Sequence, residues 1–172
     1  MKTIAFLILV CSPLALAEMP SYGDKPADKI PSHSQYSLGF GPAFLSSLNS
    51  DGVGLGLEAA RSWDVQVASV KVFSSFALRG TATFGQLGLG VNKFVVEDDT
   101  APYVSADLGY GFSKADHGGP WASGFVIGAG GGVQLFRRAD IQVDVGLRFA
   151  LLLKDTTLGH PSLTFFRAAV LF

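Results

Sequence analysis

A strict two-residue alternation near the end of the sequence constrains the fold more than any other feature. Between Ile141 and Phe149 the odd positions are all large and apolar. The even positions are polar or very small: Gln142, Asp144, Gly146 and Arg148. A period of two with one apolar face predicts a β-strand. In a soluble sheet the apolar face would meet a core, whereas in a small membrane barrel it would meet lipid and the polar face would fill the lumen.

The first 17 residues predict a secretory signal peptide, which we exclude from the folded domain. A positive start at Lys2 precedes an apolar run over residues 4–10, and Ala15-Leu16-Ala17 fits a small-x-small cleavage site. Cys11 lies inside this segment, so the mature chain has no cysteine for a disulfide. A lipoprotein acylated at Cys11 is the alternative, but Val10 is bulky where a small residue is needed.

The rest of the sequence divides into a tail and one β-rich domain. Residues 18–34 are rich in Pro, Ser, Asp and Lys without periodicity, which predicts a flexible N-terminal segment in the periplasm. Residues 35–172 are short enough for one domain. No internal run reaches the roughly 20 apolar residues of a membrane-spanning helix, but a membrane-spanning strand needs only about 9–11. We predict eight strands, at residues 36–45, 53–61, 66–78, 83–96, 102–112, 124–136, 141–149 and 163–172.

The lengths of the connections also indicate a barrel. In outer-membrane barrels with both termini in the periplasm, longer external loops alternate with short internal turns. The longer connections are predicted at residues 46–52, 113–123 and 154–162, and the shorter ones at 62–65, 97–101 and 137–140. The external connection at residues 79–82 is too short for this scheme. Because the phase also slips near residues 65–68, where a bulge is possible, the placement of the third strand stays open.

Six charged residues fall on the polar, inward positions of the predicted strands: Glu58, Lys71, Asp107, Asp144, Arg148 and Arg167. An eight-stranded barrel is just wide enough for side chains to fill it, so charges inside must be paired and hydrogen-bonded. Three acidic and three basic groups therefore predict an interior ion-pair network, with inward glycines giving room to the long side chains. The alternative is the solvated faces of a soluble β-sandwich, which the signal peptide and the C-terminal residue disfavour.

The C-terminal strand and the aromatic residues add two further predictions. Phe166, Val170 and Phe172 share one face, and this pattern resembles the signal read by the barrel-assembly machinery of Gram-negative outer membranes. Aromatic residues near strand ends predict girdles at the lipid headgroups. Nine residues are assigned to these girdles: Tyr36, Phe44, Trp63, Phe94, Tyr103, Phe112, Phe136, Phe149 and Phe165.

Glycine-rich alternating segments at residues 52–58, 87–92, 102–112 and 128–134 resemble the small OmpA-like/OmpX-like outer-membrane barrel family of Gram-negative bacteria. The resemblance covers about residues 36–172. It implies an all-β fold, an eight-stranded antiparallel transmembrane β-barrel with a polar, side-chain-filled interior. It also implies outer-membrane lipids and lipopolysaccharide as surroundings and the barrel-assembly machinery as a partner during biogenesis. Because full closure leaves no sheet edge for a partner to cover, we expect a monomer. No peptidoglycan-binding domain follows in the sequence, so we do not expect cell-wall anchoring.

The sequence predicts no catalytic, cofactor or metal site, and its net charge of −1 argues against nucleic acid as a partner. His160-Pro161-Ser162 has the spacing of some barrel esterases that deacylate lipid A, but Pro161 intervenes and no partner acid is evident. Asp116 and His117 are too few for a metal site. Residues 130–132 are not a phosphate loop, because no Lys-Ser/Thr follows.

The function expected from the sequence is a structural or surface-interaction barrel with a closed interior and interacting external loops. The alternative is a small pore for ions or solutes, which inward glycines would allow. A lipid-modifying enzyme is the remote third possibility.

Overall fold

The computed structural model describes residues 34–47, 50–65, 67–115, 121–154 and 161–172. Each strand pairs antiparallel with its neighbour in sequence, and the last strand pairs with the first, so the sheet closes into a barrel. The predicted eight-stranded antiparallel β-barrel is confirmed. Among the described residues no helix is long and apolar enough to cross a membrane. The strands are β1 (Ser34–Ser47), β2 (Ser50–Val65), β3 (Ala68–Arg79), β4 (Ala82–Phe94), β5 (Thr100–Lys114), β6 (Trp121–Leu135), β7 (Gln142–Leu153) and β8 (Ser162–Leu171).

The apolar face of the strands points outward. On β2, Val53 is 69% exposed while Glu58 is 4% exposed, and on β7 Phe149 is exposed while Asp144 and Arg148 are buried. A water-soluble sheet would bury the apolar face instead. The same alternation around the whole barrel makes an outer apolar belt, the arrangement of a barrel surrounded by lipid.

The structure corrects the predicted strand ends. Residues 62–65 were predicted as a turn, but they pair with β3 as the last part of β2. Residues 46–52 were predicted as a long loop, but β1 and β2 pair as far as Ser47 and Ser50. In β2 the inward and outward positions still alternate there, with Ser62 and Asp64 buried and Trp63 and Val65 exposed. The predicted strand ended too early because consecutive polar residues at Arg61 and Ser62 are typical of a turn.

The third strand lies where the sequence placed it. β3 ends at Arg79 and β4 begins at Ala82. The turn between them is two residues long, and Gly80 has a φ of 57°, a left-handed conformation that favours glycine. The slip in phase near residues 65–68 corresponds to the β2–β3 turn, because β2 runs to Val65 and β3 starts at Ala68.

The two ends of the barrel differ. We call the end with Ser34, Phe172 and the connections after β2, β4 and β6 the terminus end. The opposite end, with the connections after β1, β3, β5 and β7, is the loop end. The connections after β5 and β7 are the longest of the four at the loop end, and residues 116–120 and 155–160 within them lie outside the described part of the chain.

The half of the lumen near the loop end is largely apolar, with buried polar atoms of Arg79 and Ser113 among the apolar side chains, so the predicted polar interior is polar chiefly toward the terminus end. Large apolar side chains occupy inward positions there. The same layer contains Phe165, which was predicted in the aromatic girdle. Its buried members are Ala43, Leu45, Ala77, Phe84, Ala122, Val126, Ala150, Leu152, Leu163 and Phe165.

The aromatic girdle is also corrected at the terminus end. Phe94 and Tyr103 are buried inside the barrel, and their rings meet edge to face with centroids 6.1 Å apart. All three misassigned residues, including Phe165, lie near strand ends but at inward positions. The other six girdle residues point outward and are between 38% and 54% exposed: Tyr36, Phe44, Trp63, Phe112, Phe136 and Phe149.

Candidate functional site: the charged interior

The six charged residues singled out in the sequence all point into the lumen. They come from β2, β3, β5, β7 and β8, and none is more than 8% exposed. The alternation of each strand fixes their inward direction. The barrel curvature then brings together side chains that are far apart in sequence: Glu58, Lys71, Asp107, Asp144, Arg148 and Arg167.

Arg148 joins two carboxylates across the lumen. Its Nε donates to Oδ2 of Asp107 at 2.7 Å, and its Nη1 donates to Oε2 of Glu58 at 2.8 Å. The Nζ of Lys71 lies 3.6 Å from the other oxygen of Asp107. With its amide oxygen facing Arg148, Gln86 accepts a further hydrogen bond from Nη2 at 3.0 Å. The charge of Arg148 is thus balanced on more than one side.

Glu58 links this group to a second arginine. Its Oε1 accepts a hydrogen bond from Nη1 of Arg167, and Nη2 of Arg167 donates to Oδ2 of Asp144 at 2.7 Å. The charges therefore form one chain of alternating sign. In order, the chain is Lys71, Asp107, Arg148, Glu58, Arg167 and Asp144.

Tyr103 ends the chain, and sequence reasoning missed this role. Its hydroxyl donates to Oδ1 of Asp144 at 2.8 Å and accepts from Nη2 of Arg167 at 3.1 Å. The sequence could have predicted this role from the two-residue alternation of β5, which places Tyr103 on the same inward face as Asp107. Its position near a strand end favoured the girdle instead.

Inward glycines give the large side chains their room. A Cβ added at Gly39 would lie 2.9 Å from Cγ of Arg167, and one at Gly146 would lie 2.7 Å from the hydroxyl of Tyr103. A Cβ at Gly90 would lie 2.6 Å from Cε of Lys71. These distances are shorter than ordinary contacts, so side chains at these positions would displace the charged chain.

Arg137 covers the chain of charged side chains at the terminus end of the barrel. It lies in the β6–β7 turn but is buried, with its guanidinium carbon 3.6 Å from the centroid of the Phe94 ring. Its Nη2 is 3.6 Å from Oδ2 of Asp64, and its carbonyl accepts from Nε2 of Gln142 at 2.9 Å. Burial lowers the pKa of Arg137 and Asp64 opposes that shift, so the group stays charged at neutral pH. The sequence indicated only a turn here.

The charged layer contains little free space. One cavity of about 20 Å³ is lined by polar groups that include Lys71, Asn92 and Arg167. Another, of about 10 Å³, is lined by residues that include Tyr103 and Arg148. A cavity needs roughly 10–15 Å³ to hold one water molecule. Each of these two cavities is therefore about large enough for one water molecule.

The other residues considered for chemistry are not assembled into a site by the described part of the chain. His160, Asp116 and His117 lie outside the described residues, and Ser162 begins β8 on its outward face. Within the described residues, no group of three or more His, Cys, Asp or Glu side chains could hold a metal ion. Residues 130–132 lie within β6.

The three residues of the predicted assembly signal lie on the outer face of β8. Phe166, Val170 and Phe172 are all exposed there. The backbones of Phe172 and Tyr36 exchange two hydrogen bonds of 2.9 Å, which hold the last residue against β1. Recognition of this face by an assembly machinery stays a prediction.

Comparison with known proteins shows the fold. No protein-family model matches the sequence, and no curated protein sequence matches it. Neisserial surface protein A is similar in structure, with a TM-score of 0.69 and 16% identity over 80% of this chain and 95% of that one. Ail, the attachment invasion locus protein of Yersinia pestis, has a TM-score of 0.52 and 12% identity over 82% of this chain and 99% of Ail. The outer membrane enzyme PagL has a TM-score of 0.50 and 14% identity over 80% of this chain and 98% of PagL.

The chain thus has the fold of small eight-stranded outer-membrane barrels, as the OmpA-like/OmpX-like resemblance implied. Identities this low show the fold alone. Because one of these neighbours is named as an enzyme and another as a surface protein, the fold does not decide the function.

Proposed function

We propose that this chain is an outer-membrane barrel with a closed interior, which has a structural or surface-interaction role at its loop end. The observation that carries the proposal is the filling of the lumen by three successive layers. An apolar layer lies toward the loop end, the alternating charged chain lies below it, and Arg137 covers the terminus end. The two cavities within the charged layer are water-sized.

The charged chain acts as a structural element rather than as a path for ions. Each carboxylate in it contacts at least one cation, and Glu58 and Asp107 each contact two. A permeating ion would have to break these pairs, and each unpaired charge left in a buried site costs several kcal/mol, on the order of 3–5. It would then meet the largely apolar layer, which offers few polar groups in exchange for the water of hydration.

The surface role is proposed from the arrangement of the two ends. The loop end has the longer connections, whereas a closed sheet leaves no strand edge for a partner to extend. Similar barrels carry the names surface protein and attachment invasion locus protein. We therefore propose outer-membrane lipids and lipopolysaccharide as surroundings, assembly by the barrel-assembly machinery, a monomeric state, and no enzymatic activity.

Single-channel recording in a planar bilayer tests the closed interior. We expect the inserted protein to be silent under voltage, with a general porin as the positive control in the same bilayer. Steady steps that scale with salt would replace this proposal with the pore alternative. A separate assay for acyl-chain release from lipid A, with Ser162→Ala as the matched variant, tests the absence of esterase activity.

A further inference from the structure

An apolar groove of about 640 Å³ runs along the outer face of β8, β1, β2 and β3. Ala59 and Ser74 are paired across β2 and β3, and their small side chains leave a depression between larger neighbours. Those neighbours are Leu38, Phe40, Leu57, Phe76, Val170 and Phe172.

The guanidinium of Arg61 lies beside the terminus end of this groove. Arg61 follows Ala59 as the next outward residue of β2, and it is paired with Tyr36 on β1. Its guanidinium carbon lies 5.2 Å from the centroids of both the Tyr36 and the Trp63 rings. Among the described residues no carboxylate forms an ion pair with Arg61. The guanidinium is thus held in place by two rings while its charge is not neutralised by the barrel.

The groove and Arg61 together span about two thirds of one leaflet of a bilayer. From Arg61 to Leu57 the strand rises by about 13 Å, at roughly 3.3 Å per residue, which is about 10 Å along the membrane normal at a strand tilt of roughly 40°. Phe40 and Phe76 are paired with Leu57 and lie at that upper level. Half of a hydrocarbon core of about 30 Å is about 15 Å. A lipid chain whose headgroup lies beside Arg61 would therefore follow the groove through most of its own leaflet.

We propose that the groove and Arg61 together form a binding site for one glycerophospholipid of the periplasmic leaflet. An acyl chain lies along Ala59 and Ser74, and the phosphate pairs with the guanidinium of Arg61. The charge and the apolar lining are complementary to a lipid with an anionic phosphate. The inference rests on the membrane placement in the proposed function, and it adds a retained lipid to the ordinary lipid surroundings.

Native mass spectrometry of protein purified from membranes in a mild detergent tests the site. The probes are phosphatidylglycerol and a diacylglycerol with the same chains, which lacks the phosphate. We expect one retained phosphatidylglycerol per barrel and little diacylglycerol. Arg61→Gln should weaken retention about fivefold, as expected for the loss of one cation near a membrane surface. Ala59→Leu should weaken it by filling the groove.

Two matched variants serve as controls. Lys93→Gln removes an outward cation from β4, which is paired with Ala68 and Val104 away from the groove. Ala106→Leu adds the same side chain as Ala59→Leu at an outward position on β5. Both should retain the lipid as the wild type does. Resistance to unfolding in SDS confirms that each variant is folded.

Equal retention by Arg61→Gln, Ala59→Leu and the wild type would overturn the proposed site. A dimer that Ala59→Leu abolishes would assign the groove to a second copy of the chain and would overturn it as well. Insertion into phospholipid vesicles separates this failure from that of the proposed function. A barrel that inserts but retains no lipid contradicts the lipid site alone, whereas a barrel that does not insert contradicts the membrane placement.

Discussion

The guanidinium of Arg148 lies over the ring of Phe73, with 3.8 Å between its carbon and the ring centroid. The edge of the same guanidinium donates to Asp107 and Glu58. Arg148 therefore uses its flat face against an apolar neighbour and its edge against two carboxylates, which a planar guanidinium can do and an ammonium cannot. It joins the charged chain to the apolar contents of the barrel.

Replacing Arg148 with alanine should destabilise the barrel strongly. The change leaves Asp107 and Glu58 buried beside one cation fewer each, and such a loss costs about 3–5 kcal/mol. Arg148→Lys keeps the charge but loses the forked geometry and the stacking, so its effect should be intermediate. The measurement is the urea midpoint of unfolding in detergent micelles. Arg138→Ala, at an exposed position in the β6–β7 turn, is the control, and an unchanged midpoint in Arg148→Ala would contradict the network.

The position of a residue along the charged chain should determine how much that residue contributes to the free energy of unfolding. Glu58 lies between Arg148 and Arg167, whereas Lys71 is at the end and reaches Asp107 only at 3.6 Å. We expect Glu58→Gln to lower the free energy of unfolding by about 3–5 kcal/mol, because it leaves two arginines short of a carboxylate. Lys71→Met should cost less than half of that. Unfolding of both variants under the same conditions checks the order, and equal losses would count against a linear chain.

The sequence predicted which side chains enter the lumen but not how they pair. Alternation alone assigned Glu58 and Arg148 to the inner face. Their contact depends on the strand registers and on closure of the barrel across 90 residues, and no local pattern carries that information. Tyr103 and Phe165 were misplaced because nearness to a strand end was given more weight than phase. Arg137 was missed because a turn residue that folds back into the lumen leaves no periodic signal.

The junction of β1 and β8 contains a weak point at Pro42. The mutual backbone hydrogen bonds of Tyr36 and Phe172 show that even-numbered residues of β1 face β8. The backbone nitrogen of Pro42 therefore faces Phe166 on β8, but proline has no N–H to donate. The pairing of β1 with β8 stops at Phe40 and resumes at Ala43. The junction that closes the barrel thus lacks one of its backbone hydrogen bonds.

Replacing Pro42 with valine should stabilise the barrel, since it supplies the missing donor on an outward, apolar position. The expected gain is about 1 kcal/mol, the usual net value of one hydrogen bond. Leu38→Val is the control, because it places the same side chain at another outward residue of β1 that faces β8 and already has its own N–H. Unfolding in urea measures both variants. A loss of stability in Pro42→Val would show that the proline, not the hydrogen bond, is what this junction requires.

The side chain of Phe172 should matter for assembly in cells and little for the folded barrel. Phe172→Ser keeps the two backbone hydrogen bonds to Tyr36 and removes only an exposed ring. We expect less of this variant in the outer membrane, while refolding of the purified protein into detergent is largely unchanged. Phe125→Ser, an exposed aromatic of β6, is the matched control. Equal outer-membrane amounts of Phe172→Ser and wild type would refute the assembly signal.

The apolar layer should keep the barrel closed even when the charged chain is broken. Phe165 fills this layer against Gly56, where an added Cβ would lie 2.6 Å from the ring. Arg148→Ala leaves the layer intact, so we expect it to stay silent in a planar bilayer although it is less stable. Phe165→Ala should lose about 3–5 kcal/mol of stability to the cavity that it leaves, and it should be the variant in which conducting steps first occur. Steps in Arg148→Ala and silence in Phe165→Ala would assign closure to the charges instead.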